Sequence, residues 1–520
     1  MAQKSRSEYA ALNIASGIGG HVVTIVLATV CRMVFTRVFV ADYLGVTGLF
    51  GNVIGMLSLA ELGIGTAIAY ALYEPIAKND NEKITTLVRF YGKCYRIIGV
   101  VIFLVGLALL PFMDLIIKEK PAINESYTLI YIILLFNTAS TYFFSYRSSL
   151  LVAAQKNYLL TFFSNIMAVV QNLVQIVVIV CWKNYIAYLL ISVAAVFSNN
   201  IFSYWLTQKH YPFINSKSVK PLNKEEKRSL MRNVYSLTVA RIGGILVNST
   251  DNIIITYLQN LASVGLLSNY TLFSSNINSV LGIVFSSLIA GIGNHNVLES
   301  KEKKLSMFYS INFANIWLYG WAAIGICVVS TDFVRLLFGE NYLLPPEIPL
   351  IVAVDFYMLG MQSAVSAYFS TNGLFSHCRY LILLTAGINL AASFVLGKYL
   401  GLFGVLLATA ISRAFTNTWY NPYAVFKYVF ELPFRLYVKR YIGYLVVLVA
   451  TGAVCWLLCS LVNISLIANA VIKFLICCIV PNAVFFCLFR KSEEFKTLTG
   501  FVKVISDKLT GKIKAKLNKK

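Results

Sequence analysis

Two stretches of the 520-residue chain set ionisable and amide side chains inside runs of apolar sequence. In the first, His21, Thr24, Ala28 and Arg32 recur at intervals of three, four and four, which places them on one face of a helix. In the second, Arg241, Gly244, Asn248 and Asn252 repeat that spacing, with Asp251 beside them. The two sets coincide when the chain is shifted by 220 residues, and the same shift lays Gly45 of YLGVTGLF on Gly265 of SVGLLSNY. An ionised side chain at membrane depth costs at least about 2.5–3.5 kcal/mol near the centre, so it faces a cavity or a partner. Arginine in such a place suits a phosphate, because its planar fork makes two parallel contacts and keeps its charge. Arg32 and Arg241 are therefore candidate substrate-binding residues, joined by His21, Asn248, Asn252 and Arg413 of a later block. Glu61 and Asp251 are the acidic candidates for carrying a proton or a sodium ion. Each residue also has a structural reading, as a buried counter-ion, a snorkelling chain or a polar bond between helices.

The elements that position these groups follow from composition. Hydrophobic residues make up 58% of the chain and charged residues only 13%, against about a quarter in soluble domains. Mean hydropathy is +0.72. The apolar residues come in blocks of about twenty, the length that crosses the ~30 Å hydrocarbon core. The blocks do not alternate apolar with polar residues, so they are helices and not barrel strands. Fourteen spans are expected, near 12–37, 44–71, 86–112, 126–151, 158–181, 184–207, 234–258, 265–292, 306–330, 347–370, 378–397, 400–423, 441–463 and 467–489. The pairs 158–181/184–207 and 378–397/400–423 have the shortest turns and are the ones expected to merge. The fold class is thus an all-α polytopic membrane protein: two pseudo-symmetric six-helix lobes (1–207 and 234–423), a cytoplasmic linker (208–233), two appended helices (424–489) and a basic tail (490–520). Transporters are often built from such repeats, with substrate bound where they meet.

Charge sets the orientation. The net charge is +22, from 44 Lys+Arg against 22 Asp+Glu. Only Arg37, Lys118, Lys120, Lys183, Arg335 and Lys398 fall on one side of the spans, and the basic residues of the other side mark it as cytoplasmic, with both termini there. No basic soluble domain is present to carry nucleic acid, so that class of partner is excluded. The first block is long, Gly-rich and lacks a cleavage site, which marks it as a retained helix. The ten cysteines form no CxxC or paired-His pattern and read as small apolar residues, with no metal and no disulfide framework. Leu498, Val502, Ile505 and Leu509 recur at helical spacing in a basic segment, which predicts an interfacial helix on anionic lipid. Lys473, near the outer end of its span, is expected to snorkel, and Pro481 to kink the last span. Gly17, Gly19, Gly20, Gly243 and Gly244 read as sites of close packing, and Asn269, Asn276 and Asn278 as hydrogen-bonding groups on the eighth span.

Five segments carry a family resemblance: ADYLGVTGLFGNVIGMLSLAELGIGTAIAYALYEPIA (41–77), KCYRIIGV (93–100), GGILVNSTDNIII (243–255), SNYTL (268–272) and GIGN (291–294). The chain resembles the polysaccharide transporter branch of the multidrug/oligosaccharidyl-lipid/polysaccharide exporter superfamily, the bacterial flippases for exopolysaccharide, capsule or O-antigen repeat units. The resemblance spans roughly residues 10–490. It implies two six-helix lobes plus two helices in a V that opens alternately to each side. It also implies a polyprenyl carrier: an undecaprenyl-diphosphate-linked oligosaccharide moved from the cytoplasmic to the outer leaflet of the bacterial inner membrane. No cofactor is implied beyond a proton gradient, a sodium gradient or the membrane potential, and the chain holds no Walker-type Gly-Lys-Ser/Thr loop. The partners implied are the lipid-linked oligosaccharide and the polymerase and glycosyltransferases of the same pathway. From the family only the idea of diphosphate-binding arginines in spans 1 and 7 is carried over, onto Arg32 and Arg241. His21, where the repeat calls for a second Arg241-like charge, leaves the symmetry incomplete.

Two other functions compete. A polysaccharide polymerase or ligase calls for a long outer loop with catalytic arginines or carboxylates, and the outer loops here are short. A drug/cation antiporter of the same superfamily calls for an acidic cavity, and here arginine outnumbers acid within the spans.

Overall fold

A computed structural model describes residues 6–58, 64–117, 121–154, 156–216, 221–228, 230–231, 249–295, 301–371 and 375–500. The described residues are helical with no strands, and ten of their helices are long and apolar enough to cross a membrane. Their outward surface is apolar over wide areas. Leu104, Phe162, Val180, Val446, Trp456 and Ile479 are all exposed, a pattern that fits lipid as the surrounding solvent.

The chain divides into two compact units, one of Met1–Ser268 with Ala386–Val405 and one of Asn269–Thr385 with Leu406–Lys520. The first unit holds α1 (Arg6–Val38), α2 (Ala41–Leu57), α3 (Ile64–Lys78), α4 (Asn81–Ala108), α5 (Tyr127–Ala153), α6 (Asn157–Trp182), α7 (Tyr185–His210), the helical residues 249–258 (α8) and the start of α9 (Leu261–His295). In it α1 packs along α6, and α5 packs between α4 and α7. Its core runs from Phe35, Leu49 and Phe50 to Tyr91, Tyr131 and Leu135. The segment expected as one span over 44–71 is seen as α2 and α3, with 59–63 outside the described residues.

The second unit holds the rest of α9, α10 (Lys301–Phe338), α11 (Glu347–Thr371), α13 (Asn417–Val425), α14 (Arg435–Ser460) and α15 (Leu466–Phe489). α12 (Phe375–Phe415) contributes to both units. The pair 158–181/184–207 stays as two helices, while 378–397 and most of 400–423 run together as α12 across a kink. Lys183 adopts a left-handed conformation between α6 and α7, and Asn184 caps α7 by accepting from the Ala187 N–H at 2.9 Å. The spans at 378–397 and 400–423 meet at Gly401, whose φ of 59° and ψ of −139° suit glycine alone.

Pro481 lies inside α15, which is helical from Leu466 to Phe489. Proline deprives the Cys477 carbonyl of its helical donor, and the Trp321 indole N–H takes the vacant place at 2.9 Å. Lys473 does not snorkel: its ammonium meets Asp332 Oδ2 at 2.7 Å, with both side chains largely buried. An acidic partner within reach removes the reason to seek the interface. The predicted tail helix is described only as far as residue 500, where Phe495 packs on Trp317 and Phe486. Val502, Ile505 and Leu509 lie outside the described residues. The nine cysteines described are free thiols.

Candidate functional site

The 220-residue repeat reappears in the first unit as a reciprocal contact. Gly45 is the fifth residue of α2 and Gly265 the fifth of α9, and each meets the first residue of the other helix. A methyl group built on Gly45 would lie 2.1 Å from the Leu261 carbonyl oxygen. One built on Gly265 would lie 2.2 Å from the carbonyl oxygen of Ala41, the residue equivalent to Leu261 under the shift. Only glycine lets two helix backbones come so close, and here it does so from both sides.

Arg32 reaches this joint from α1. Its guanidinium donates to the Ser268 hydroxyl, which in turn donates to the Gly265 carbonyl at 2.5 Å. The repeat-related positions are Asn252 and Gly48, and they are neighbours as well: a methyl on Gly48 would lie 3.7 Å from Asn252 Nδ2. One equivalent thus carries a cation and a hydroxyl, the other an amide and a glycine. Arg32 and Asn252 are half-buried, while Cys31 and Phe35 beside Arg32 are buried. Phe35 packs on Tyr188 at 5.2 Å and on Tyr185 at 6.0 Å, and Tyr43 packs on Tyr185 at 4.6 Å. Tyr185 shares a 2.6 Å hydrogen bond with Thr47, so the rings form a fixed wall beside the arginine.

The remaining sequence candidates are dispersed. His21 lies eleven residues before Arg32 on α1, about 16 Å by helical rise, and its carbonyl accepts from Thr24 at 2.8 Å. Asp251 is half-buried on α8 next to Asn252. Arg241, Asn248 and Glu61 lie outside the described residues. Arg413 belongs to the second unit, where it forms an ion pair with Asp355 and is 8% exposed. Asp355 and Asp332 are not among the acidic candidates of the sequence reading, although an Asp near the middle of the 347–370 span is a visible signal.

The second unit also contains an apolar groove of about 940 Å³, lined by Ile324 and Val328 of α10, Tyr357 of α11 and Leu448, Val449 and Trp456 of α14. Its volume lies in the range of small-molecule sites.

No family model matches the chain, and no curated protein matches it. Solved structures do. A structure of the lipid II flippase MurJ in an inward closed conformation is similar over 91% of this chain and 98% of its own, with 14% identity and a TM-score of 0.65. An inward-facing multidrug resistance MATE family transporter of the MOP superfamily is similar over 79% of this chain and 95% of its own, with 13% identity and a TM-score of 0.58. The Vibrio cholerae MATE transporter VcmN is similar over 82% and 99%, with 12% identity and a TM-score of 0.55. At such identities the likeness is one of fold. The chain is an all-α, multi-pass membrane protein with the fold shared by MurJ and the MATE transporters of the MOP superfamily.

Proposed function

We propose that the chain is a flippase, not an enzyme, that moves a polyprenyl-diphosphate-linked oligosaccharide from the cytoplasmic to the outer leaflet by alternating access, for surface polysaccharide assembly. The observation that carries this reading is Arg32, a permanent cation held at the joint where the two repeat-related helices α2 and α9 cross. Arg32 and Arg241 take the diphosphate, and Asn248 and Asn252 suit sugar hydroxyls. The apolar groove of the second unit is of a kind to take a polyprenyl chain, being lined almost wholly by hydrocarbon. The likeness to MurJ, itself a lipid II flippase, supports a lipid-linked substrate.

The membrane potential supplies about 2.3 kcal/mol per charge per 100 mV, and an inside-negative potential favours outward movement of an anionic diphosphate. Asp251 and Glu61 are the acids through which a proton or sodium gradient adds to that drive. The setting proposed is a bacterial inner membrane, with both termini cytoplasmic and the basic tail on anionic lipid. The test is polymer export in cells. Arg32→Ala is expected to abolish export at unchanged membrane level, with Arg32→Lys restoring part, because a point charge replaces a fork. Normal export by Arg32→Ala removes the residue from the site.

A further inference from the structure

A second cationic site lies in the first unit, away from Arg32. A cavity of about 240 Å³ is lined by Arg89, Gly92 and Arg96 of α4, Tyr146 and Arg147 of α5, and Asn215 of the single helical turn Pro212–Asn215 that follows α7. Among the described residues, no acidic side chain lines it. Arg147 is 7% exposed, and the groups it touches directly are neutral. Its Nε donates to the Tyr146 hydroxyl at 3.2 Å and its Nη2 to Asn215 Oδ1 at 3.3 Å, while its Cζ lies 3.8 Å from the centre of the Tyr204 ring. Its Nη1 is buried with no hydrogen-bond partner. Arg89 donates to the Ser216 carbonyl, and the exposed Arg96 uses its Nε on the Gly92 carbonyl at 3.0 Å.

Three guanidinium groups therefore converge on a small cavity whose described lining holds no carboxylate. A buried cation without an anionic partner is costly, and the Arg147 guanidinium offers more donors than its neighbours use. A tetrahedral anion with several oxygens satisfies several forks at once, which a carboxylate does not. Depth narrows the choice. Arg147 lies six residues from the end of α5 and Arg89 eight from the start of α4, about 9 and 12 Å along the helices. That is the headgroup layer on the side that the Lys/Arg bias assigns to the cytoplasm. We infer that the pocket of Arg89, Arg96 and Arg147 binds the phosphoryl group of a membrane lipid. Two lipids bring that group there, a resident anionic phospholipid and the polyprenyl diphosphate of the proposed substrate, and only the second rests on the function proposed above.

Native mass spectrometry of the purified full chain in detergent tests the inference, with phosphatidylglycerol and polyprenyl diphosphate as separate probes. Wild type is expected to retain at least one of them, and Arg96→Gln to weaken retention about tenfold, the effect of one lost charged hydrogen bond. Arg96 is exposed, so its replacement leaves the fold intact; Arg147→Lys adds the buried position, and Lys398→Gln, an exposed basic residue outside both the pocket and the tail, is expected to bind as wild type does. Pocket-dependent binding of phosphatidylglycerol identifies a resident lipid, and selective binding of polyprenyl diphosphate identifies a first contact for the carrier; either supports the site. Equal retention by wild type and Arg96→Gln, or no retention of either lipid by wild type, overturns it. Loss of lipid binding with normal polymer export upholds this site, and loss of export with normal lipid binding bears on Arg32 alone.

Discussion

Arg147 and Arg413 are buried to nearly the same degree, 7% and 8% exposed, and their surroundings are opposite. Arg413 meets the carboxylate of Asp355. Arg147 meets a tyrosine hydroxyl, an amide oxygen and the face of a ring, with one nitrogen left over. A guanidinium answered by a carboxylate is complete within the protein, and its removal disturbs structure first. One answered only by neutral acceptors keeps its charge available to something that arrives. Burial alone does not separate these cases; the charge of the neighbours does.

Breaking the closed pair is expected to have the largest effect. Asp355→Ala leaves a buried cation and should cost about 3–5 kcal/mol in denaturant unfolding of the purified protein, whereas the double change Asp355→Leu with Arg413→Met should recover most of that loss. Arg147→Met orphans no charge and should cost only about 1–2 kcal/mol, from two neutral hydrogen bonds and a ring contact. Equal losses for Asp355→Ala and Arg147→Met would erase the contrast.

The α2–α9 joint is a closed region of another kind, filled by backbone. Gly45→Ala and Gly265→Ala each force a methyl against a carbonyl and should each cost about 1–3 kcal/mol. Both wedge the same contact, so the double variant should cost clearly less than their sum, a coupling that a double-mutant cycle measures. Additive losses would mean that the two glycines act separately.

The smallest effect concerns the Cys477 carbonyl that Pro481 leaves without a helical donor and Trp321 satisfies. Trp321→Phe should cost about 1 kcal/mol in the natural background and distinctly less once Pro481→Ala restores the helical N–H. An unchanged cost in the Pro481→Ala background would show that the indole bond does not serve that carbonyl.

The span pattern was legible because apolar block length responds to bilayer thickness and to little else. The shift of 220 was legible from two glycines and two polar stripes, and the contact they make explains why glycine stands at both places. Asp332 and Asp355 are visible in the sequence as acids within spans, but their partners are not: Lys473–Asp332 joins residues 141 positions apart, and linear spacing cannot show it. Arg147 escaped notice for a different reason. It stands near the end of a span, where a basic residue reads as an orientation signal, and only the structure shows that Arg89 and Arg96 face it. The donor that replaces the one Pro481 lacks was not legible either, because it comes from a tryptophan on another helix, an interaction that belongs to tertiary structure.

The central claim is that Arg32 handles an anionic lipid-linked cargo. Its most direct test is flipping of a polyprenyl-diphosphate oligosaccharide in proteoliposomes that contain the purified chain, with membrane potential and pH gradient imposed separately. Wild type is expected to flip the lipid, faster under the potential that drives an anion outward, and Arg32→Ala to fall at least about tenfold, which corresponds to ~1.4 kcal/mol. Undiminished flipping by Arg32→Ala, or a wild type that leaves the lipid in place and exchanges an organic cation for protons, would contradict the account.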